Sequence, residues 1–225
     1  MNIAVVQQVQ TNMTVAAGAH TLTPITVTAG NLLILQYITA GGTTDFIHPI
    51  TDDQSNTWVK APNTEQAPTF GDDGKLAIWY AANIAGGVTT ITINTFGVTT
   101  NRTDVSVLEC SGASTTVPLV PGSGAIIPNT TLPPVGPDLT PDKAGELLVT
   151  IILPDSSSAT SVNAPWIYTL DPAAGGVFTQ LVNPTPGTTH AVMQPTNPQA
   201  FASSGAIFQP VGISNKRRSS MFLVF

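Results

Sequence analysis

The pattern of apolar and polar residues along the chain predicts short β-strands and almost no helix. Glycine and proline, 19 of each, interrupt every stretch in which apolar residues recur at helical spacing. The candidate strands are rich in Thr, Val, Ile and aromatic residues and are separated by clusters of Gly, Pro, Asn and Asp. In the first half of the chain they are predicted at residues 4–9, 20–27, 31–38, 56–60, 75–82, 88–95 and 104–110.

Two of these segments differ in how they are expected to be buried. The segment "NLLILQYI" is apolar on both faces, with Leu32, Ile34 and Ile38 on one side and Leu33, Leu35 and Tyr37 on the other. Such a strand belongs in the middle of a sheet that is covered on both sides. The segment "TTITINT" alternates instead, with Ile91 and Ile93 on one face, and this predicts a half-exposed strand.

Several segments of the second half match the first half at a nearly constant shift. "GNLLILQ" and "GELLVTI" begin at Gly30 and Gly145, which are 115 positions apart. Shifts of 114 or 115 also align "LAIWY" with "HAVMQ", "TTITI" with "SGAIF" and "DVSVLEC" with "SSMFLVF". Trp58 and Trp166 are 108 positions apart, a slip that loops can absorb. The matches predict a diverged duplication, with repeats at residues 1–115 and 116–225.

The predicted fold is therefore an all-β sandwich, of jelly-roll or immunoglobulin-like type, built from two diverged repeats. Residues 111–146 are rich in Pro, Gly, Ser and Thr, as a linker between two bodies would be. The same residues occupy the place of the first two strands of the second repeat, so they are equally compatible with an extended, proline-protected edge. We favour one sandwich-like unit made of two halves.

The C-terminal segment "NKRRSSMFLVF" can be interpreted in two ways. Taken alone, it is typical of a basic arm with an apolar plug that binds a partner. Aligned with the end of the first repeat, it becomes a last turn followed by a last strand, Met221 to Phe225, and we prefer this interpretation. Lys216, Arg217 and Arg218 are three of the seven basic residues, so their turn is a candidate docking point for a carboxylate-rich partner.

Composition excludes several classes of function. Only 9% of the residues are charged and the net charge is −6, which disfavours binding to nucleic acid. The longest apolar runs are much shorter than the roughly 20 residues of a membrane-spanning helix, so no membrane association is expected. No secretory signal is visible at the N-terminus. Cys110, the single cysteine, is expected to be a small buried residue at a strand end.

Residues capable of catalysis or metal binding form no recognisable motif. His20, His48 and His190 lack the spacing of a zinc site. The acidic pairs at 52–53 and 72–73 are typical of turns, with a calcium site between loops as the alternative. The three glutamates, Glu65, Glu109 and Glu146, do not form the pattern of a glycosidase pair. We therefore expect no enzyme activity, no metal and no cofactor.

The tryptophans also have two interpretations. Trp58, Trp79 and the neighbouring Tyr80 are residues that a sugar-binding module would use as stacking platforms. Trp58 and Trp166 occupy equivalent positions in the two repeats, as core anchors would. The core interpretation is therefore preferred.

Several segments of the first half follow a recurring set of motifs. They are "GNLLILQYITAGG", "ITDDQSNTWVKA", "LAIWYAANIAGGVTTITI" and "VSVLECSG", compared with G-D-L-L-V, T-D-x-x-G-N-T-W, W-Y-A, A-G-x-T-T-V-T-V and V-x-E-Y-S-G. The resemblance is to a poorly characterised β-sandwich repeat family of phage structural proteins and bacterial surface proteins. It continues more weakly in the second half, through "AGELLVTIIL" and "APWIYTL". Cys110 replaces the usual Tyr, and Asn31 replaces the usual Asp. The resemblance implies an exposed structural or adhesive module and brings no catalytic residues.

These observations lead to a functional expectation. The resemblance, the low charge and the Thr-rich strands together favour a virion structural protein that is assembled in the host cytoplasm. Such a protein would be a phage capsid decoration or cement protein, or a tail-associated protein, which binds copies of itself and a major capsid or other virion protein. The alternative is a carbohydrate-binding or adhesin module at a bacterial surface, with Trp58, Trp79 or Tyr80 exposed in a groove. A glycan-degrading tail-spike enzyme is a remote third class.

Overall fold

The structure is a computed structural model of the chain, and it describes residues 1–15, 18–40, 49–67, 75–95, 101–130, 134–154, 159–170, 176–182, 184–195 and 200–212. Within these ranges every regular element is a β-strand, as the sequence predicts. None of the described residues belongs to an apolar helix long enough to cross a membrane.

The described residues of the first half form ten strands. They are β1 (Ala4–Val15), β2 (Gly18–Thr21), β3 (Ile25–Val27), β4 (Leu32–Ala40), β5 (Ile50–Asp52), β6 (Trp58–Lys60), β7 (Lys75–Ala81), β8 (Gly87–Thr89), β9 (Ile91–Thr95) and β10 (Asn101–Ser111). The strand predicted at 20–27 is divided at Pro24, which has no N–H to donate to a sheet. The pattern does not predict β5, because its three residues run directly into a turn.

The strands of the first half pair in a nested order. The pairs are β1 with β10, β2 with β9, β3 with β8 and β4 with β7. Pairing therefore proceeds from the two ends of the first half towards its middle. Because β10 also pairs with β4, and β6 with β7, the large sheet has the order β1-β10-β4-β7-β6. This nested pairing is the connectivity of a jelly roll, and it separates that fold from the immunoglobulin-like alternative.

In the second half, seven strands lie within the part of the chain that the structure describes. They are β11 (Ala125–Thr130), β12 (Leu147–Pro154), β13 (Ala159–Val162), β14 (Ile167–Leu170), β15 (Val177–Val182), β16 (Met193–Pro195) and β17 (Phe201–Phe208). Its large sheet has the order β11-β17-β12-β15-β14, which is the order of the first half strand for strand. The proline-rich segment supplies the edge strand β11, which contains Pro128, rather than a free linker.

The common order revises the alignment of the two halves. Gly30 and Gly145 both precede the central strands, and Trp58 and Trp166 both mark the start of an edge strand, so these matches lie at equivalent positions. The counterpart of β7, however, is β15 rather than residues 190–194, and the counterpart of β10 is β17 rather than residues 219–225. The constant shift fails because loop lengths differ between the halves. The duplication and its boundary stay predictions, and the terminal strand at 221–225 lies outside the described residues.

The described residues form three apolar cores, which divide that part of the chain into four layers. The two large sheets pack face to face around a central core that includes Ile34, Leu108, Val149 and Phe208. A second core lies between the large sheet of the first half and its small strands, and a third lies at the equivalent place in the second half. Leu32, Ile34 and Ile38 of β4 face the central core, and Leu33, Leu35 and Tyr37 face the outer core, as predicted. Ile91 and Ile93 of β9 are buried and Thr92 is partly exposed, which is also as predicted.

Buried polar contacts tie the two large sheets together. Gln36 on β4 donates through Nε2 to the carbonyl oxygen of Thr150 on β12, at 2.9 Å. Gln66 donates to the carbonyl oxygen of Ser203, and Ser204 donates to that of Thr64. These bonds satisfy polar groups that would otherwise be costly to bury. The central core is thus held by directional bonds as well as by apolar packing.

The edge strands of the two large sheets lie next to each other in pairs. β1 of one sheet lies beside β14 of the other, and β6 lies beside β11. Gln10 on β1 donates to the carbonyl oxygen of Leu170 on β14, at 3.2 Å. At the opposite side, Gly124 before β11 is so close to Pro62 after β6 that a Cβ there would lie 1.8 Å from the Pro62 oxygen. β1 and β11 are equivalent, as are β6 and β14, so the halves meet as two copies related by a two-fold axis would.

Removing side-chain volume from the central core is expected to destabilise the whole chain. Ile34 is fully buried there, and we expect Ile34→Ala to lower the free energy of unfolding by about 2–5 kcal/mol. Val88 is 58% exposed, and Val88→Ala is expected to cost less than about 0.5 kcal/mol. Urea unfolding would measure both, and equal losses would contradict a central core shared by the halves.

The glycines that precede the central strands offer a matched pair of substitutions. Gly30 has φ 83° and Gly145 has φ 87°, so alanine at either position is expected to cost about 1–2 kcal/mol. A Cβ at Gly145 would in addition lie 2.8 Å from Asn2 Oδ1, whereas a Cβ at Gly30 meets nothing within 4 Å. Gly145→Ala should therefore lose more stability in urea unfolding than Gly30→Ala, and an equal loss would contradict the close packing of the N-terminus against Gly145.

Candidate functional site

The residues that the sequence suggests for partner binding fall partly outside the described structure. Lys216, Arg217 and Arg218 lie beyond residue 212, so the predicted basic docking point stays a prediction. His48 and the acidic pair at 72–73 lie outside the described residues as well. The candidate surfaces considered below belong to the described strands and turns.

The aromatic residues of the carbohydrate-binding alternative do not share one surface. Trp79 is 8% exposed and packs in the outer core of the first half. Tyr80, the next residue on β7, projects from the opposite face of the sheet, where its ring meets that of Phe208 edge to face at 5.6 Å. Trp58 is partly buried against the same core as Trp79. The structure thus brings Trp58 and Trp79 into one core and directs Tyr80 into another.

Trp58 is held in place by the turn that precedes β6. Its Nε1 donates to Asp52 Oδ2 at 2.8 Å, and the other carboxylate oxygen accepts the backbone N–H groups of Gln54 and Asn56, each at 3.0 Å. The adjacent Asp53 accepts the N–H of Thr90 at 2.9 Å, and this bond lowers the pKa of Asp53. The pair at 52–53 therefore stabilises a turn, as its sequence predicts. In the calcium alternative these carboxylate oxygens would bind a cation, but here they accept hydrogen bonds from N–H groups.

Two buried carboxylates hold the turns that lead into the central strands. In the first half, Glu109 on β10 accepts the Thr28 N–H at 2.8 Å, the Asn31 side-chain amide at 2.6 Å and the Gln7 side-chain amide at 2.6 Å. In the second half, Glu146 accepts the N–H groups of Asp142 and Lys143 at 3.1 and 3.5 Å. The turns have related sequences, "TAGN" and "KAGE", but the carboxylate comes from the distant strand β10 in the first half and from the turn itself in the second.

The two carboxylates have opposite electrostatic environments. Burial alone would raise the pKa of Glu109, but its hydrogen bonds hold that pKa below its ordinary value. Burial, together with the nearby Asp142 carboxyl, raises the pKa of Glu146 to about 7. Glu146 is fully buried, and its Oε1 has no hydrogen-bond partner among the described residues. Glu109 is thus a stable anion, whereas Glu146 changes charge close to neutral pH.

Glu65, His190 and Cys110 are further titratable residues with defined surroundings. Glu65 binds Lys60 and lies 3.2 Å from the Nζ of Lys75, and these ammonium groups lower its pKa against the effect of burial. His190 Nδ1 lies 2.7 Å from Asp138 Oδ1 at an exposed site. Cys110 is fully buried at the end of β10, as predicted, and burial raises the pKa of its thiol.

Within the described ranges, no three of the metal-binding residue types come together. Described residues of the second half line grooves that are open to solvent. One, of about 480 Å³, lies beside β14 and is lined by Pro165, Ile167, Leu181, Val182 and residues 184–189. Another, of about 250 Å³, lies between the segment 120–125 and residues 138–140. The first is lined entirely by uncharged residues, so it offers shape and apolar contact rather than charge.

The structural role of Glu109 and Glu146 could not be assigned from their sequence positions. Each stands at the edge of a strand with no motif around it, and the partners of Glu109 are distant in sequence. The sequence does contain one indication that the two turns are equivalent, because Ala-Gly recurs before both central strands. Strand pairing brings Glu109 to the first turn, whereas Glu146 accepts its bonds from residues three and four positions away.

Protonation of Glu146 predicts a pH dependence of stability. Its pKa is raised from 4.5 to about 7 in the folded chain, so its contribution is fully present below about pH 4.5 and is lost as the pH rises through 7. Glu146→Gln keeps a neutral side chain at all pH values. We expect the wild type to lose stability relative to Glu146→Gln between pH 5 and pH 8, by at most about 1.4 kcal/mol per pH unit. Urea unfolding of both proteins at these two pH values measures the difference.

Glu109→Gln is the matched control. The pKa of Glu109 is lowered on folding, so its contribution to stability is present near neutral pH and is lost only as the pH falls below the ordinary glutamate value. Glu109→Gln should therefore be destabilising at both pH 5 and pH 8. Parallel pH profiles for the wild type and Glu146→Gln would contradict the assignment of the titration to Glu146.

The chain was compared with models of protein families, with curated proteins and with solved structures, and none of the three comparisons gave a match.

Proposed function

We propose that this protein is a non-enzymatic structural component of a virion, either a phage capsid decoration or cement protein or a tail-associated protein. The observation that carries the proposal is the face-to-face packing, in one chain, of two large β-sheets with the same strand order, the first of which belongs to a jelly roll. Jelly rolls are common in viral capsids and lectins, because two packed sheets give a robust body with loops and edges free to bind. Architecture does not by itself assign a function, so the particle experiment below is decisive.

The chemistry of the described residues supports a structural role. Glu65, Glu109 and Asp52 each accept hydrogen bonds from their own chain, and all of these bonds stabilise turns or edges. The sequence has few charged residues, so a partner would be bound mainly through shape, apolar contact and backbone pairing. The partners proposed are further copies of this chain and a major capsid or other virion protein.

The carbohydrate-binding alternative would require an exposed aromatic surface. Trp79 is too deeply buried to stack on a sugar, so Trp79→Ala would test packing rather than binding. Trp58, which is partly exposed and is oriented by Asp52, is the informative position for that alternative. Glycan binding that disappears in a folded Trp58→Ala variant would favour a surface or extracellular adhesin module over a virion protein.

Association with particles tests the proposed function. The purified protein is mixed with phage particles that lack it, and binding is measured by co-sedimentation in low salt and in 1 M salt. We expect saturable binding that persists in 1 M salt, where the Debye length is about 3 Å and charge attraction is strongly screened. Failure to sediment with any particle would overturn the proposal.

A variant with Lys216, Arg217 and Arg218 changed to alanine tests the basic docking point separately. If that turn binds an acidic partner, its removal will abolish binding in low salt, and the wild type will also dissociate in high salt. If docking occurs through strands and loops, the variant will bind as the wild type does.

A further inference from the structure

The edge strand β1 differs from the other edges of the two large sheets. It is 12 residues long, "AVVQQVQTNMTV", and contains neither a charged residue nor proline. In the part of the chain that the structure describes, it pairs with one strand, β10, and the opposite edge has no strand beside it. At about 3.3 Å per residue it presents roughly 40 Å of backbone donors and acceptors.

The other edges are short or obstructed, as edges of natural sheets usually are. β6 has three residues and ends at Lys60. β14 has four residues, and its Leu170 oxygen already accepts a bond from Gln10. β11, which occupies the position equivalent to β1, contains Pro128, which has no backbone N–H to donate to a further strand. The chain therefore contains the same edge twice, blocked in one half and open in the other.

The side chains of β1 hold the strand firmly in place while leaving its outer edge available. The amide of Gln7 donates to the Thr26 oxygen at 2.6 Å, and that of Gln8 donates to Ser106 Oγ at 2.9 Å. Gln10 is bound to Leu170 across the large sheets. A strand fixed by its own side chains is pre-organised, so pairing at its edge would require little further ordering.

We infer that β1 pairs with β1 of a second copy, antiparallel and about a two-fold axis. The large sheet of the first half in one copy then continues into the same sheet of the other copy. An antiparallel pair is self-complementary, and the same patch on both molecules closes the contact. The absence of charge on β1 means that no like charges oppose each other in any register. Each copy brings an edge of the same length, so one pairing covers both exposed edges.

The proposed function includes binding between copies of this chain, and β1 pairing would be the contact that forms it. The inference rests on the proposed function only for the biological role of that contact. Its test contains no particle. A failure of β1 pairing would therefore be distinct from a failure of particle binding.

Light scattering coupled to size-exclusion chromatography measures the mass of the full chain over a range of concentrations. The wild type is expected at twice the 23.3 kDa of one chain. Val6 and Asn12 are exposed near the two ends of β1, and Val6→Lys with Asn12→Lys should halve the mass by placing hydrated ammonium groups along the edge. The control combines Ile126→Lys on β11 with Val88→Lys, both at exposed positions, and should remain a dimer.

Circular dichroism establishes whether each variant is folded. Val6 is 52% exposed and lies at the bulge of β1, so Val6→Lys alone serves as the milder variant if the double substitution fails to fold. A monomeric wild type, a dimer that survives folded β1 variants, or a control that dissociates as readily as the β1 variant would each overturn the inference.

Discussion

The burial of both faces of β4 and β12 is the constraint on which the architecture depends. Each strand is apolar on both sides, so each large sheet must be covered on both sides. The small strands of each half cover the outer faces. The inner faces have no such cover within their own half and bury each other, which produces four layers and a central core that belongs to both halves.

A two-fold arrangement follows from that mutual burial. Two equivalent sheets that cover each other with equivalent surfaces form the intramolecular counterpart of a symmetric dimer interface. Polar bonds such as that from Gln36 to the Thr150 oxygen fix the position of one sheet on the other. The central core therefore packs the two large sheets against each other and leaves their edge strands at the sides, where the proposed contacts with other copies or with virion proteins would form.

The turns before the two central strands use different carboxylates to accept their backbone N–H groups. The turn into each central strand leaves backbone N–H groups that need an acceptor, and a buried carboxylate supplies it in both cases. Glu109 receives three charge-assisted bonds and remains ionised. Glu146 receives fewer donors and has Asp142 beside it, so its charge is unfavourable near neutral pH. Equivalent turns in a fold can thus differ in their response to pH because the carboxylate that each turn uses, and the donors around it, differ.

The sequence by itself determined the all-β class, the central place of β4 and the side to which each of its residues points, because a strand's period of two records burial directly. Tyr37 and Ile38 could be assigned to opposite cores on that basis alone. The turn at Asp52 was also predictable, since its bonds are local. Only the tertiary structure decided the strand order, the partners of Glu109 and the position of β17 beside β12. These depend on contacts between residues about 50 to 100 positions apart, and unequal loops hide such contacts from a comparison at constant shift.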